Sequence, residues 1–237
     1  MGLSMDLQTL ILCGGKGTRM GPSNGSPKHM LEVGGKPVLW HLMKSYAHHG
    51  FKDFVLCLGY RGEAIRRYFR HERQWNIEFV DTGLETNTGG RVKRARPYIE
   101  GENFFCTYGD GLSDVDPGKL LAFHLRHGRT ATVTAVRPAS QFGLLEINGR
   151  NHVTEFVEKP VLDHWINGGF FVFGKKVFKY IQDNEVLERQ PFERLTQKKE
   201  MMAFKHKGFW ECMDTFKDYM KLNSLWETGK AKWKVWP

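Results

Sequence analysis

The sequence predicts an α/β protein built on a mixed, mainly parallel central sheet with helices on both faces, and three observations carry that expectation. Leu7 to Cys13 is an apolar run broken only by Gln8 and Thr9 and closed by Gly14-Gly15-Lys16-Gly17, which reads as a fully buried strand entering a loop. Strand-like and helix-like segments then alternate as far as Tyr108, as successive βαβ units require. Of the 237 residues 41% are apolar and only 26% are charged, which supplies a substantial core and excludes a disordered chain.

Each element has its own signal. Pro37 suits the first turn of a helix, and Leu39, Leu42, Met43 and Tyr46 follow at helical spacing up to a stop at Gly50. Phe54 to Leu58 reads as a strand, Glu63 to Phe69 as a helix, Ile77 to Val80 as a strand, Arg91 to Tyr98 as a helix and Phe104 to Tyr108 as a strand. After a helix near Gly118 to Arg126, short strands at Ala131 to Arg137, Leu144 to Ile147, Val153 to Val157 and Phe170 to Phe173 are expected to extend the sheet in mixed orientation. Helices at Val177 to Ile181 and Phe192 to Gln197, a strand at Met201 to Lys205 and a helix from about Asp214 to Trp226 complete the pattern. No linker, composition break or repeat divides the chain, so one domain over residues 1–237 is expected. The tail Ala231 to Pro237, with Trp233 and Trp236, packs either on the body or on a second copy in a homo-oligomer.

The net charge of +9 suits an anionic partner. The basic stretches Arg61 to Arg73 and Lys205 to Lys207 are dispersed and lack a nucleic-acid-binding signature, so a phosphate-rich small substrate is the better reading. No run approaches the roughly 18 apolar residues of a membrane span, and the first residues lack a secretory pattern, which together predict a cytoplasmic protein without a membrane partner. Cys13, Cys57, Cys106 and Cys212 are far apart and form no Cys-x-x-Cys pair. They are expected to be reduced and buried rather than to bind metal.

Gly14, Gly15 and Gly17 let backbone N–H groups converge on an anion where a first strand meets the ligand end of the sheet. The spacing is not that of a Walker loop, and Met20 stands where Gly-x-Gly-x-x-Gly needs its third glycine, so kinase-like and dinucleotide-binding readings lose ground. Arg19 and Lys28 could flank a polyphosphate, although each alone reads as surface charge.

Leu12-Cys13-Gly14-Gly15-Lys16-Gly17-Thr18-Arg19-Met20, followed by Pro27-Lys28-His29-Met30, resembles the N-terminal signature of the sugar-1-phosphate nucleotidylyltransferases. Gly34 to His41, Asp81-Thr82-Gly83, Thr88-Gly89-Gly90-Arg91, Tyr108-Gly109-Asp110-Gly111, Glu158-Lys159-Pro160, Ile166 to Phe171, Gly208-Phe209-Trp210 and Met213-Asp214-Thr215 narrow the resemblance to the branch that uses CTP and glucose 1-phosphate. The resemblance implies a Rossmann-like nucleotide-diphospho-sugar transferase domain, its nucleotide-binding half at about residues 5–115 and its sugar-phosphate-binding and C-terminal half at about 116–237. It implies the reaction of CTP with α-D-glucose 1-phosphate to give CDP-glucose and pyrophosphate. Asp110 and Asp214 would bind Mg2+, and Leu12, Cys13 and the loop Gly14, Gly15, Lys16, Gly17, Thr18 and Arg19 would wrap the nucleoside triphosphate. Arg19 and Lys28 would stabilise charge at the α-phosphate and pyrophosphate. Arg91 and Gly109 would line the nucleotide pocket, as would Thr86, whose neighbours differ from the family's, while Glu158, Lys159 and Asn167 would meet the sugar phosphate.

Read alone, Asp110 is equally a turn residue, Asp214 a helix N-cap and Glu158-Lys159-Pro160 a strand end. A phosphate monoester, with a second pKa of about 6, is already anionic near neutrality, so no general base is needed. His41, His48, His49, His124 and His127 are therefore assigned to packing or helix surfaces. The segment between Phe69 and Asp81 is shorter than in the cytidylyltransferase branch, which leaves a smaller oligomer, another nucleotide or another sugar 1-phosphate open; His29 also replaces the usual proline, a change that carries no functional reading. A catalytically inactive, sugar-nucleotide-binding relative is disfavoured by the joint presence of Arg19, Lys28, Asp110 and Asp214.

Overall fold

The computed structural model describes residues 7–17 and 27–237, so Thr18 and Arg19 of the expected phosphate loop lie outside the described residues. The elements in chain order are β1 (Thr9–Leu12), β2 (Glu32–Val33), β3 (Lys36–Pro37), α1 (Val38–His48), β4 (Asp53–Leu58), α2 (Gly62–Phe69), β5 (Asn76–Asp81), α3 (Thr88–Ala95), β6 (Asn103–Tyr108), β7 (Gly111–Ser113) and α4 (Pro117–His127). They continue with β8 (Ala131–Val136), β9 (Leu144–Ile147), β10 (Val153–Val157), β11 (Ile166–Asn167), β12 (Phe171–Gly174), α5 (Gln190–Gln197), β13 (Met201–Lys205), β14 (Trp210–Cys212) and α6 (Phe216–Glu227).

All four residues of β1 are buried, as a strand at the centre of a two-sided sheet must be. β1 runs parallel to β4 on one side and β6 on the other, with Leu10 opposite Val55 and Cys106. The sheet order is β11-β8-β12-β6-β1-β4-β5, with β13 also paired to β8. β5 and β13 join in parallel and β11 and β12 antiparallel, which gives the mixed, mainly parallel sheet.

Alternation along the strands divides the core in two. Ile11, Phe54, Leu56 and Phe105 face one layer with Leu39, Leu42 and Tyr46 of α1, Ile65 of α2, Leu120 of α4 and Leu222 of α6. Leu10, Leu12, Val55, Cys57, Phe104 and Cys106 face the other with Val92 of α3 and Leu195 of α5. Helices thus cover both faces, and each buried Leu or Phe contributes about 1.5–3 kcal/mol.

Three expectations need correction. β9 and β10 do not extend the sheet but pair with each other as a separate ribbon, because β11 takes the edge of β8 beside β12. Val177 to Ile181 is no α-helix: Lys175–Lys179 forms a 3₁₀ turn, pinned at its start by the Lys175 N–H to Glu102 O bond (2.8 Å) and at its end by Arg194, which donates to Tyr180 O at 2.9 Å. The helix expected through Tyr98 stops at Ala95 and tightens over Arg96–Tyr98, where Pro97 lacks the N–H that would continue the α-helical ladder.

The tail packs on its own body. Trp233 is 1% exposed and Trp236 7%, both in the layer that holds α1. Trp233 Nε1 donates to His41 Nδ1 at 3.4 Å, and His41 Nε2 donates to Val33 O at 2.8 Å, a pairing that requires a neutral ring. Burial lowers the His41 pKa in the same direction. Among the described residues, no helix is long and apolar enough to cross a membrane.

Candidate active site

β1 and β6 end side by side at Leu12 and Tyr108, and the chain leaving each strand turns into the same cleft. Gly109 bridges them: its N–H donates to Leu12 O at 3.0 Å, and a Cβ there would lie 2.8 Å from His29 Cδ2. Only glycine allows the two loops to approach this closely. The cleft is about 330 Å³, and Leu12, Gly14, Gly15, Lys28, Thr86, Arg91 and Asp110, all expected in the site, line it together with His29, Asn87, Thr88, Tyr108 and Val186. Gly17 packs against Lys28, whose side chain would lie 3.4 Å from a Cβ on that glycine. Lys16 reaches instead across the surface to Glu85 at 2.5 Å. Cys13 is fully buried under the loop, and its thiol is held protonated by burial.

Arg91, rising from α3, is buried, and its guanidinium organises the loop from beneath. Nη1 donates to Leu58 O (3.0 Å), Thr82 Oγ1 (2.7 Å) and Gly83 O (2.8 Å), and Nη2 to Gly14 O (3.0 Å) and Leu84 O (3.3 Å). One side chain therefore ties the glycine loop to the ends of β4 and β5. Thr86 Oγ1 similarly receives Arg94 Nη1 at 2.8 Å.

Asp110 and Asp214 are joined by a ribbon too short to show in any periodicity. β7 pairs antiparallel with β14, Gly111 opposite Cys212, and Met213 N–H donates to Asp110 O at 3.0 Å. The cap of α6 falls to Thr215, whose Oγ1 accepts from Asp218 N while Asp218 Oδ2 accepts from Thr215 N, so Asp214 is not the cap residue. Lys28 Nζ pairs with Asp110 Oδ2 and reaches Asp214 Oδ1 at 3.2 Å, with the Lys28 side chain 16% exposed and that of Asp110 6%. Burial pushes the lysine pKa down, but the Asp110 and Asp214 charges outweigh it and raise the value above that of an ordinary lysine.

Ligand atoms of Asp110, Asp214 and Cys212 all lie within 4.8 Å of one another. Cys212 therefore stands beside the carboxylates, contrary to the expectation that all four cysteines avoid a metal cluster. Burial, followed by the Asp110 charge, raises the thiol pKa, and the two carboxylates beside it supply hard oxygens suited to a divalent cation such as magnesium or calcium.

The residues expected at the sugar phosphate are not gathered into the cleft. Glu158 and Lys159 follow β10, are more than half exposed and pair with each other at 3.2 Å. Asn167 is exposed at the end of β11, and its Nδ2 lies 3.3 Å from Tyr108 Oη. Tyr108 in turn donates to Glu188 Oε1, and Thr88 Oγ1 donates to Glu188 Oε2 at 2.7 Å. Sequence reasoning missed this network; Tyr108, the last residue of a buried strand at the ligand end of the sheet, was its one visible signal. It also left His29 without a role. The ring is buried, its Nδ1 has no partner, and burial lowers its pKa to about 4.

A family model described as nucleotidyl transferase matches residues 8–229. The glucose-1-phosphate cytidylyltransferase of Salmonella typhimurium is 44% identical over 257 aligned positions covering 97% of this chain and 100% of that protein. The probable glucose-1-phosphate cytidylyltransferase of Bacillus subtilis is 40% identical over 255 positions, with the same coverage of 97% and 100%. Among solved structures, HddC from Yersinia pseudotuberculosis complexed with GMP-PN superposes with a TM-score of 0.74 at 26% identity, over 93% of this chain and 99% of that one. Similarity that runs the full length of both partners, over the same loops that build the cleft, means that this chain belongs to the nucleotidyl transferase family.

Proposed function

We propose that this enzyme joins CTP and α-D-glucose 1-phosphate to give CDP-glucose and pyrophosphate. A phosphate oxygen of the sugar phosphate attacks the α-phosphorus in line, and the bond from that phosphorus to the pyrophosphate oxygen breaks. The observation that carries the reading is the β7–β14 pairing, which sets Asp110 and Asp214 about one half-buried lysine at the mouth of the glycine-loop cleft. Full-length identity of 44% and 40% to cytidylyltransferases selects CTP and glucose 1-phosphate.

Magnesium fits the two carboxylates, since that ion is held by one or two carboxylates with phosphates and waters completing its shell. When bound, it supplies charge neutralisation at the phosphates. The remaining work belongs to the chain. Gly14 and Gly15 bring the backbone close to the triphosphate, and Lys28, fixed against Gly17, stabilises charge developing on the leaving pyrophosphate. Arg91 holds the loop in shape through Gly14 O. Glu158, Lys159 and Asn167 receive the sugar phosphate, so the half at about residues 5–115 binds nucleotide and the half at about 116–237 binds sugar. The four free thiols suit a cytoplasmic setting.

The test is pyrophosphate release with magnesium over CTP, UTP, dTTP, ATP and GTP against a panel of sugar 1-phosphates. Selective turnover of CTP with glucose 1-phosphate supports the assignment. Selective use of another pair keeps the chemistry and rejects the substrates; no turnover with any pair rejects both.

A further inference from the structure

We propose that Tyr108 and Glu188 are positioning residues that fix which way round the Asn167 amide faces the sugar phosphate. This rests on the assignment of Asn167 to the sugar side made above.

The direction of every hydrogen bond in the network is determined. A carboxylate only accepts, so Glu188 takes the Tyr108 O–H at Oε1 and the Thr88 O–H at Oε2, the latter at 2.7 Å. Thr88 Oγ1, its proton committed, accepts the Leu187 N–H at 2.9 Å. Tyr108 has likewise committed its proton, so toward Asn167 it offers only lone pairs and accepts from Nδ2 at 3.3 Å. From the opposite side the Gly169 N–H requires an acceptor and takes Asn167 Oδ1 at 2.9 Å. Both constraints set the amide the same way: carbonyl to the backbone, one N–H to Tyr108, and the second N–H left for substrate.

The tyrosine ring is held as firmly as its hydroxyl. It stands edge-on to Phe171 at 5.7 Å, and a Cβ on Gly169 would lie 2.9 Å from its Cδ2, so the chain passes flat against it at a left-handed glycine with φ of +72°. Tyr108 and Thr88 also line the nucleotide cleft. The network therefore begins in the nucleotide site and ends by presenting a donor to the other substrate, which suits a phosphate oxygen that can only accept.

Glu188→Gln leaves one acceptor where the carboxylate had two, so the Tyr108 and Thr88 O–H groups can no longer both be accepted and the phenol O–H is no longer held away from the Asn167 N–H. The expected result is a rise in the glucose 1-phosphate KM of roughly 10-fold, the value of one misdirected hydrogen bond, with the CTP KM changed less than about 2-fold. Tyr108→Phe, which deletes the acceptor, is expected to move the same constant in the same direction. The double variant Asn167→Ala/Glu188→Gln should be no worse than Asn167→Ala alone, because Glu188 acts through that amide. If Asn167→Ala raises the sugar-phosphate KM while Glu188→Gln and Tyr108→Phe leave it unchanged, the positioning role is wrong. If Asn167→Ala itself has no effect on that KM, the sugar-side reading beneath it is wrong. Equal rises in both KM values, or additive losses in the double variant, mark a merely structural effect and overturn the proposal.

Discussion

Replacing Gly14 by alanine puts a methyl carbon 2.1 Å from Arg91 Nη1 and 2.4 Å from its Cζ. Gly14 is not in the left-handed region, so the guanidinium and not the backbone opposes the change. Displacing it breaks five hydrogen bonds of 2.7–3.3 Å. Leu58 O keeps the Thr82 N–H and O–H, and Gly14 O keeps the Tyr60 N–H, so the loss falls mainly on the Gly83 and Leu84 carbonyls and on the charge itself. At about 1.5–3 kcal/mol for each bond to a charged group, Gly14→Ala should destabilise by roughly 3–5 kcal/mol. Arg91→Met removes the same bonds without stranding a buried cation and should cost roughly 2–4 kcal/mol. The space it opens accommodates the alanine methyl, so the double variant should lose only about 3–4 kcal/mol, a coupling of roughly 2 kcal/mol or more. Urea unfolding followed by circular dichroism measures all four corners of the cycle, and Tm should fall by about 2–4 °C per kcal/mol. Additivity within about 0.5 kcal/mol would refute the reasoning.

Asp110→Asn and Asp214→Asn are each expected to lower kcat by roughly 100-fold or more with the circular dichroism spectrum unchanged; near-normal turnover of either pure variant removes that residue from the proposed metal pair. Burial lowers both His29 and His124 to about 4, so their neutral forms are favoured on folding. The folded state binds fewer protons than the unfolded one between about pH 6.5 and 4, and stability must be full above that window and fall through it, by roughly 3 kcal/mol for His29 alone. Urea midpoints at pH 7 and pH 4.5 test this, and a His29→Leu variant whose midpoint falls as steeply as the parent's would contradict it. Trp233→Ala should cost roughly 3–5 kcal/mol, since it empties a fully buried site and removes a bond to His41; a Tm within about 3 °C of the parent's would count against the buried tail.

The strands legible in the sequence were those whose burial is written in consecutive residues. β1, β4 and β6 are apolar runs buried on both faces, and α1 carries four apolar residues at helical spacing. β7 and β14 have three residues each and β2 and β3 two, too few for any period to emerge. Gly34 and Gly35, both at positive φ, were the overlooked mark of the β2–β3 turn. The ribbon β9–β10 was visible as strands but not as a separate piece, because a local apolar pattern does not say which strand it pairs with. In the site, the glycine loop was legible from three glycines after a buried strand, and the pairing of the aspartates through resemblance. That Arg91 turns its guanidinium to carbonyls and that Glu188 joins Tyr108 to Thr88 depend on long-range packing that no local segment encodes.

The β7–β14 ribbon also orders events during translation. β1, β4, β5 and β6 can all pair once the ribosome has released the first half of the chain, whereas Asp110 waits for its partner carboxylate until β14 emerges. About a hundred residues separate the two, which at about 5–20 residues per second is a delay of roughly 5–20 s. Throughout that interval a nascent chain can hold its central sheet but cannot assemble the carboxylate pair at the mouth of the cleft. Catalytic competence is thus among the last properties this protein acquires as it is made.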